Sequence, residues 1–290
     1  MSALSNPRFR LYVGAALISL SPVWVKLVEV SPTTSGFYRA AIGGVALVVY
    51  LGVMQKSLKL PRWVFGMLVV ASVFFALDLW FWHRSINYIG PGLSTLLANF
   101  QVFIMMAVGI VVLKQPPRPA QLIAVPLALL GLALIVGLDW GSLPDDYRLG
   151  VIFGLLTAVS YAGYLLSMRQ LRTSATDAMP TREIAIMSLL VAAFLGVSAI
   201  AEGESLAIGT WTDLGWLLGY GLLSHTLGMM LIASSLPKVS TTEAGLALLL
   251  QPTLSFVWDV LLFARPMTPV ELAGAAIALF AIWLGSRPVR

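Results

Sequence analysis

The chain has no cysteine, which excludes disulfides, thiolate nucleophiles, iron–sulfur clusters and cysteine-ligated zinc, and leaves no redox compartment to read. Histidine is nearly as scarce, with His83 and His225 the two present. That leaves little for a histidine-rich metal site, so neither a metal nor a cofactor is expected. Charge is low too: Lys, Arg, Asp and Glu make up 11% of the residues, against about 25% in soluble domains. No GxSxG, HExxH or paired acidic motif is found, and a serine or aspartyl hydrolase needs a positioned base or a second carboxylate. An enzyme is therefore not expected.

What is abundant is apolar: 59% of residues are hydrophobic and mean hydropathy is +0.90. The solvent for such a chain is a bilayer. Arg8-Phe9-Arg10 before an apolar run imitates a secretory signal, but no small-x-small cleavage site follows and the apolar character continues through Val30, so this stretch reads as a first membrane helix. Crossing the hydrocarbon core takes roughly 20 apolar residues. Segments near that length run about Phe9–Val28, Thr33–Met54, Arg62–His83, Gly90–Leu113, Ala120–Leu138, Leu149–Arg169, Thr181–Ala201, Leu214–Leu236, Thr241–Phe263 and Val270–Ser286. Backbone groups in lipid must bond internally, which makes the expected fold an all-α membrane bundle of ten transmembrane helices.

The stretch from Ile89 to Leu134 recurs from Val239 to Leu284 without a gap. Leu96, Gln101, Pro116, Pro119, Leu122, Ala128, Leu129 and Leu134 meet the identical residues Leu246, Gln251, Pro266, Pro269, Leu272, Ala278, Leu279 and Leu284. A repeat of this length is architectural. Five helices per copy is an odd number, so the second copy enters the membrane the other way up. The expectation is two inverted five-helix repeats, residues 1–146 and 147–290, around a central cavity. The basic residues, including Lys56, Lys59, Arg62, Arg118, Arg169, Arg182, Lys238, Arg287 and Arg290, cluster on one side of this topology and put both termini in the cytoplasm. The net charge of +5 is thus a topology signal, and no nucleic acid is expected. Trp63 and Trp283 then fall at the inner interface, and Trp80, Trp82, Trp140 and Trp211 at the outer, beside the acidic stretch Asp139–Asp146. The small-residue pairs Gly150/Gly154 and Gly215/Gly219 predict close helix contacts.

Candidate chemistry lies near the midplane. Ser94, Ala98 and Gln101, with Thr95 and Asn99 adjoining, form a polar face on the fourth helix by helical spacing. Gln251, Ser255 and Trp258 align similarly on the ninth. Thr157, Tyr161, Tyr164 and Met168 make a stripe on the sixth, and Trp24 offers a wall on the first. The bland reading of the amides is interhelical hydrogen bonding, worth about 0.6 kcal/mol on average in membranes. Intramembrane charges default to functional hypotheses: Arg39 and Asp78 lie at equal depth and are expected to form a structural ion pair, while Asp78, aligned with Trp82, equally faces the pathway. Asp259 sits at similar depth on the ninth helix. Mid-helix His225 is a candidate for pH response, or a neutral imidazole holding one bond within the bundle.

The pattern resembles the drug/metabolite transporter superfamily in its EamA-type branch of bacterial exporters. The residues carrying the resemblance are Phe37-Tyr38-Arg39 followed by Gly43-Gly44, and Ser85-Ile86-Asn87-Tyr88 leading into Gly92–Gln101. Within that branch it is most similar to aromatic amino-acid exporters, whose cavities are lined by aromatic residues. The resemblance implies a multi-pass protein of the bacterial inner membrane exporting amino acids or similar small zwitterionic metabolites to the periplasm by alternating access, with lipid and a small molecule as partners. The alternatives are a drug or other metabolite efflux carrier of the same fold and, outside transporters, a passive channel.

Overall fold

The computed structural model describes residues 6–117, 119–136, 141, 143–174, 180–239 and 241–286. Arg118, Leu138, Asp139, Trp140, Arg287 and Arg290 lie outside them. Among the described residues every regular element is a helix. Eight are long and apolar enough to cross a membrane: α1 Pro7–Leu27, α2 Pro32–Val53, α3 Arg62–Ile89, α4 Pro91–Val111, α5 Pro119–Val136, α6 Asp145–Leu171, α7 Thr181–Ala201 and α8 Trp211–Lys238. Two more, α9 Thr241–Phe263 and α10 Pro269–Ser286, carry the shorter apolar stretches Ala247–Phe263 and Pro269–Gly285.

Prolines open α1, α2, α4, α5 and α10, where a missing N–H costs nothing and the fixed φ suits a first turn. Side-chain caps complete several starts. The Arg8 N–H donates to Asn6 Oδ1 at 2.9 Å, and the Asp213 N–H donates to Thr210 Oγ1 at 3.0 Å. The third helix runs six residues beyond its expected end at His83, to Ile89.

The packing has an internal correspondence. α2 packs on α7, α4 on α9 and α5 on α10; α3 against α6 is matched by α1 against α8, α3 against α7 by α2 against α8, and α4 against α6 by α1 against α9. Advancing each helix number by five, cyclically, maps these contacts onto one another. The α5–α10 contact is backbone on backbone: a Cβ at Gly131 would lie 2.8 Å from the Gly274 carbonyl oxygen. The Gly150/Gly154 pair also packs closely, against Tyr88, Ile89 and Leu97. The other small pair differs, since Gly215 faces open space and only Gly219 receives a neighbour, the Trp24 ring.

Among the described residues three helices depart from regular α-helix beside the site, and a fourth carries a proline there. α1 is broken at Leu20, just before Ser21-Pro22, because Pro22 cannot donate to the preceding turn. α4 is broken at Asn99 and Phe100, where Phe100, Val102 and Phe103 donate to carbonyls three residues back. α8 is π-helical over Gly219–Gly228. α9 carries Pro252 in its interior. Irregular backbone at membrane depth is tolerated where it is buried in protein or lines a cavity.

Candidate functional site

A cavity of about 370 Å³ lies where the broken helices meet. α1 contributes Ser21 and Pro22; α2, Arg39; α3, Phe75, Asp78 and Trp82; and α4, Thr95, Ala98, Asn99 and Gln101. α6 contributes Tyr161, Tyr164, Leu165 and Met168, α8 supplies Met229, Ile232, Ala233 and Leu236, and α9 supplies Leu248, Gln251 and Ser255. Ile184 adds a contact from α7. Of the positions read from sequence, Asn99, Gln101, Tyr161, Tyr164, Gln251, Asp78, Trp82 and Ser255 thus share one chamber.

The polar inventory has a consistent bias. Asn99 Nδ2 donates to the Thr95 carbonyl at 2.8 Å, which also accepts from the Asn99 N–H at 3.3 Å, so this amide reinforces its own helix beside the break. Gln101 Oε1, Thr95 Oγ1 and Ser21 Oγ are buried without a hydrogen-bond partner among the described residues. Buried polar atoms are rarely left this way, and each one needs an explanation. All three residues line the same cavity. On the facing side Phe75, Tyr164 and Tyr161 form a continuous stack, with ring centroids 4.9 and 5.6 Å apart.

Three expected wall residues lie elsewhere. Trp24 donates from Nε1 to Ser224 Oγ at 2.9 Å and packs on Trp216. Trp258 donates to Ser19 Oγ at 3.0 Å. A buried indole N–H requires an acceptor, and both find one on a neighbouring helix rather than in the cavity. His225 is fully buried and sits behind the wall. Trp82 is buried in the chamber rather than placed at a lipid interface, and Trp80 is taken up by Glu202 and Arg84.

The expected Arg39–Asp78 ion pair is not made: among the described residues no salt bridge joins them, although both line the cavity. Arg39 is engaged from behind instead. Its Nη1 donates to Tyr220 Oη at 3.0 Å and its Nε to His225 Nδ1 at 3.4 Å. His225 Nε2 is 2.7 Å from Ser188 Oγ, and because Nδ1 accepts from Arg39 the ring proton sits on Nε2, donated to the serine. Likewise His83 Nδ1 donates to the Leu79 carbonyl at 2.6 Å, so Nε2 accepts from Tyr220 Oη at 3.2 Å. Residues five apart on an α-helix point roughly 140° apart; the wider π turn brings Tyr220 and His225 to the same guanidinium. Asp259 is committed elsewhere. It accepts from the Gly92 N–H at 2.9 Å at the N-terminus of α4, where a negative charge is favoured, and pairs with Arg265.

Beyond the membrane segments Glu202 forms a hub. It accepts from Trp80 Nε1 at 2.6 Å, Ser198 Oγ at 2.7 Å and Thr33 Oγ1 at 2.9 Å, and pairs with Arg84 at 2.5 Å. Partial burial works against its charge, but the bonds from Trp80, Ser198 and Thr33 and the Arg84 charge outweigh that and hold the carboxyl down at about 2. Arg84 reaches Glu204 as well, so the hub ties the adjacent ends of α2, α3 and α7.

Sequence reasoning missed Ser21, Phe75 and Leu248 as cavity residues and read Arg39 as structural. Signals existed for some. Phe75, Asp78 and Trp82 share a stripe at i, i+3 and i+7, and Pro252 frees the carbonyl four residues before it, that of Leu248. Nothing in the sequence marked the π segment.

The sequence pattern of the EamA-like transporter family matches residues 9–137 and again residues 148–287. The chain belongs to the EamA-like transporter family. Similarity to curated proteins runs along most of it. The uncharacterized inner membrane transporter YhbE of Escherichia coli strain K12 is 26% identical over 295 aligned positions, covering 94% of this chain and 90% of YhbE. The pseudopaline exporter CntI of Pseudomonas aeruginosa is 25% identical over 246 positions, covering 84% of this chain and 82% of CntI. A solved crystal structure superposes with a TM-score of 0.68 at 15% identity, covering 97% of this chain and 96% of the other, a likeness of fold. This EamA-like protein is a membrane transporter, and the chamber between its broken helices is its candidate substrate site.

Proposed function

We propose that this EamA-like transporter exports amino acids or similar small zwitterionic metabolites from the cytoplasm to the periplasm of a bacterial cell, by alternating access of the cavity between its two halves. One observation carries the reading: Gln101 and Gln251, at corresponding positions of the sequence repeat, line the same cavity, and Gln101 Oε1 has no hydrogen-bond partner among the described residues. The reading of two inverted five-helix repeats is supported by the exchange of contacts under a five-helix shift and by the odd number of helices per copy. Broken helices at the repeat interface are the usual place for a secondary transporter's site. The basic residues clustered on one side favour cytoplasmic termini, and YhbE is named as an inner membrane protein.

A second reading, another polar metabolite carried by the same fold, is favoured by the likeness to the pseudopaline exporter. Counterflow of individual amino acids in liposomes, on wild type and on Gln101→Ala and His225→Ala, decides between them. Saturable amino-acid flux with a half-saturation concentration raised roughly fivefold in Gln101→Ala, the equivalent of one hydrogen bond of about 1 kcal/mol, supports the proposal. The absence of saturable flux for every amino acid tested, with flux for another metabolite class, favours the second reading. Non-saturating electrical conductance would identify a channel.

A further inference from the structure

Arg39 and Asp78 are each only 7% exposed and line one chamber. The groups that bind Arg39 are Tyr220 and His225, together with the ring faces of Phe75, Trp82 and Tyr220 at 5.9, 5.7 and 5.0 Å. All are uncharged. Among the described residues the Asp78 carboxyl group accepts no hydrogen bond and enters no salt bridge, and Arg39 lies across the same chamber, beyond ion-pair distance. Leaving two ionisable groups of opposite sign unjoined at this burial is expensive, because whichever charge forms keeps most of its desolvation cost. The pair does not collapse because Arg39 is pinned from behind: Tyr220 fixes one terminal nitrogen and His225 the Nε, and the Leu79 carbonyl sets the His83 tautomer that accepts from Tyr220. The charges are thereby kept apart with the cavity open to both.

We propose that Arg39 and Asp78 read the two ends of a zwitterion, Arg39 binding the ligand carboxylate and Asp78 its ammonium group. Tyr220 and His225 act as positioning residues that hold the guanidinium off Asp78. A purely cationic guest meets Arg39, a purely anionic one meets Asp78, and a neutral one leaves both charges unmet; a zwitterion satisfies both. The Phe75–Tyr164–Tyr161 stack supplies an apolar wall for the remainder of the molecule. This assignment rests on the cavity being the transport site proposed above, and it gives Arg39 a ligand-reading part where sequence reasoning assigned a structural one.

The test is equilibrium binding to purified full-length protein in detergent, by calorimetry, of the standard amino acids. It continues with the decarboxylated amine and the deaminated acid matched to the tightest binder. On wild type both analogues are expected to bind at least about tenfold more weakly than the amino acid, since each forfeits a charge-assisted bond. On Asp78→Asn the deaminated acid should bind as well as the amino acid; on Arg39→Gln the amine should do so. Tyr220→Phe, which releases Arg39 towards Asp78, should weaken the amino acid more than either analogue. Should Arg39→Gln fail to fold, the wild-type series and Asp78→Asn decide alone. Either analogue within threefold of the amino acid on wild type, equal weakening of amino acid and deaminated acid by Asp78→Asn, or no binding by any amino acid overturns the proposal. Selective binding without liposome flux would keep this assignment and remove the exporter reading. Flux without selectivity would do the reverse.

Discussion

Gly43 shows how much a single missing Cβ decides. A methyl group there would lie 2.2 Å from His225 Cδ2, too close for any real contact, so the imidazole edge comes this near to α2 only because that residue is glycine. The position is also fixed by what the ring holds, Ser188 on one side and Arg39 on the other. Gly43→Ala must displace the ring or separate α2 from α8, at a cost typical of overpacking, about 1–3 kcal/mol. A thermal melt in detergent should show the mutant several degrees below wild type. An unchanged melting temperature would mean that the ring has room to move. From the sequence the Gly43-Gly44 pair was legible as a family feature; its partner was not, because His225 is far away in the chain and reaches Gly43 only through helix packing.

At the scale of the element, α4 separates two amides that look alike in the sequence. Asn99 spends its Nδ2 on the carbonyl of Thr95 at the break, whereas Gln101 lines the cavity and its Oε1 has no hydrogen-bond partner among the described residues. Their expected phenotypes are opposite. Asn99→Ala removes one of the two donors to the Thr95 carbonyl, leaving the Asn99 N–H at 3.3 Å, and should lower stability by about 0.5–1.5 kcal/mol. Gln101→Ala should leave the melting temperature within about a degree while weakening substrate saturation. Melting and flux measured on the same preparations check both. Helical spacing rightly placed the two residues together, but it assumed one continuous helix, and the three-residue hydrogen bonds at Phe100, Val102 and Phe103 are not encoded by any proline or glycine at the break. In α1 the break was legible, since Pro22 cannot donate to the turn before it, whereas α9 runs on past Pro252 as one helix.

At the scale of the whole molecule, the Glu202 hub, just past the end of α7, joins three helices, and its dependence on pH follows from its depressed carboxyl. A group at about 2 in the folded protein against 4.5 ordinarily contributes stability that is fully present above about 4.5 and is lost as pH falls towards 2. Glu202→Gln should therefore melt below wild type at neutral pH, with the gap closing between pH 4.5 and 2. A gap independent of pH over that window would show that the carboxylate charge is not what ties α2, α3 and α7 together. Because the hub is partly exposed, salt should narrow the gap as well.

The sequence by itself determined a membrane-embedded helical protein, most of its helix positions, a repeated half and many of the polar residues of the cavity. These depend on local quantities: hydropathy over a span, proline at a turn, and residue identity at a fixed displacement. Tertiary structure alone decided which charges touch. Arg39 turned from Asp78 to Tyr220 and His225, Asp259 went to Arg265 and the start of α4, and Trp24 and Trp258 found serine acceptors outside the cavity. The physical reason is that buried polar groups take whichever partner the packing brings within about 3 Å, and that choice depends on a π turn in α8 and a glycine in α2 as much as on the charges themselves.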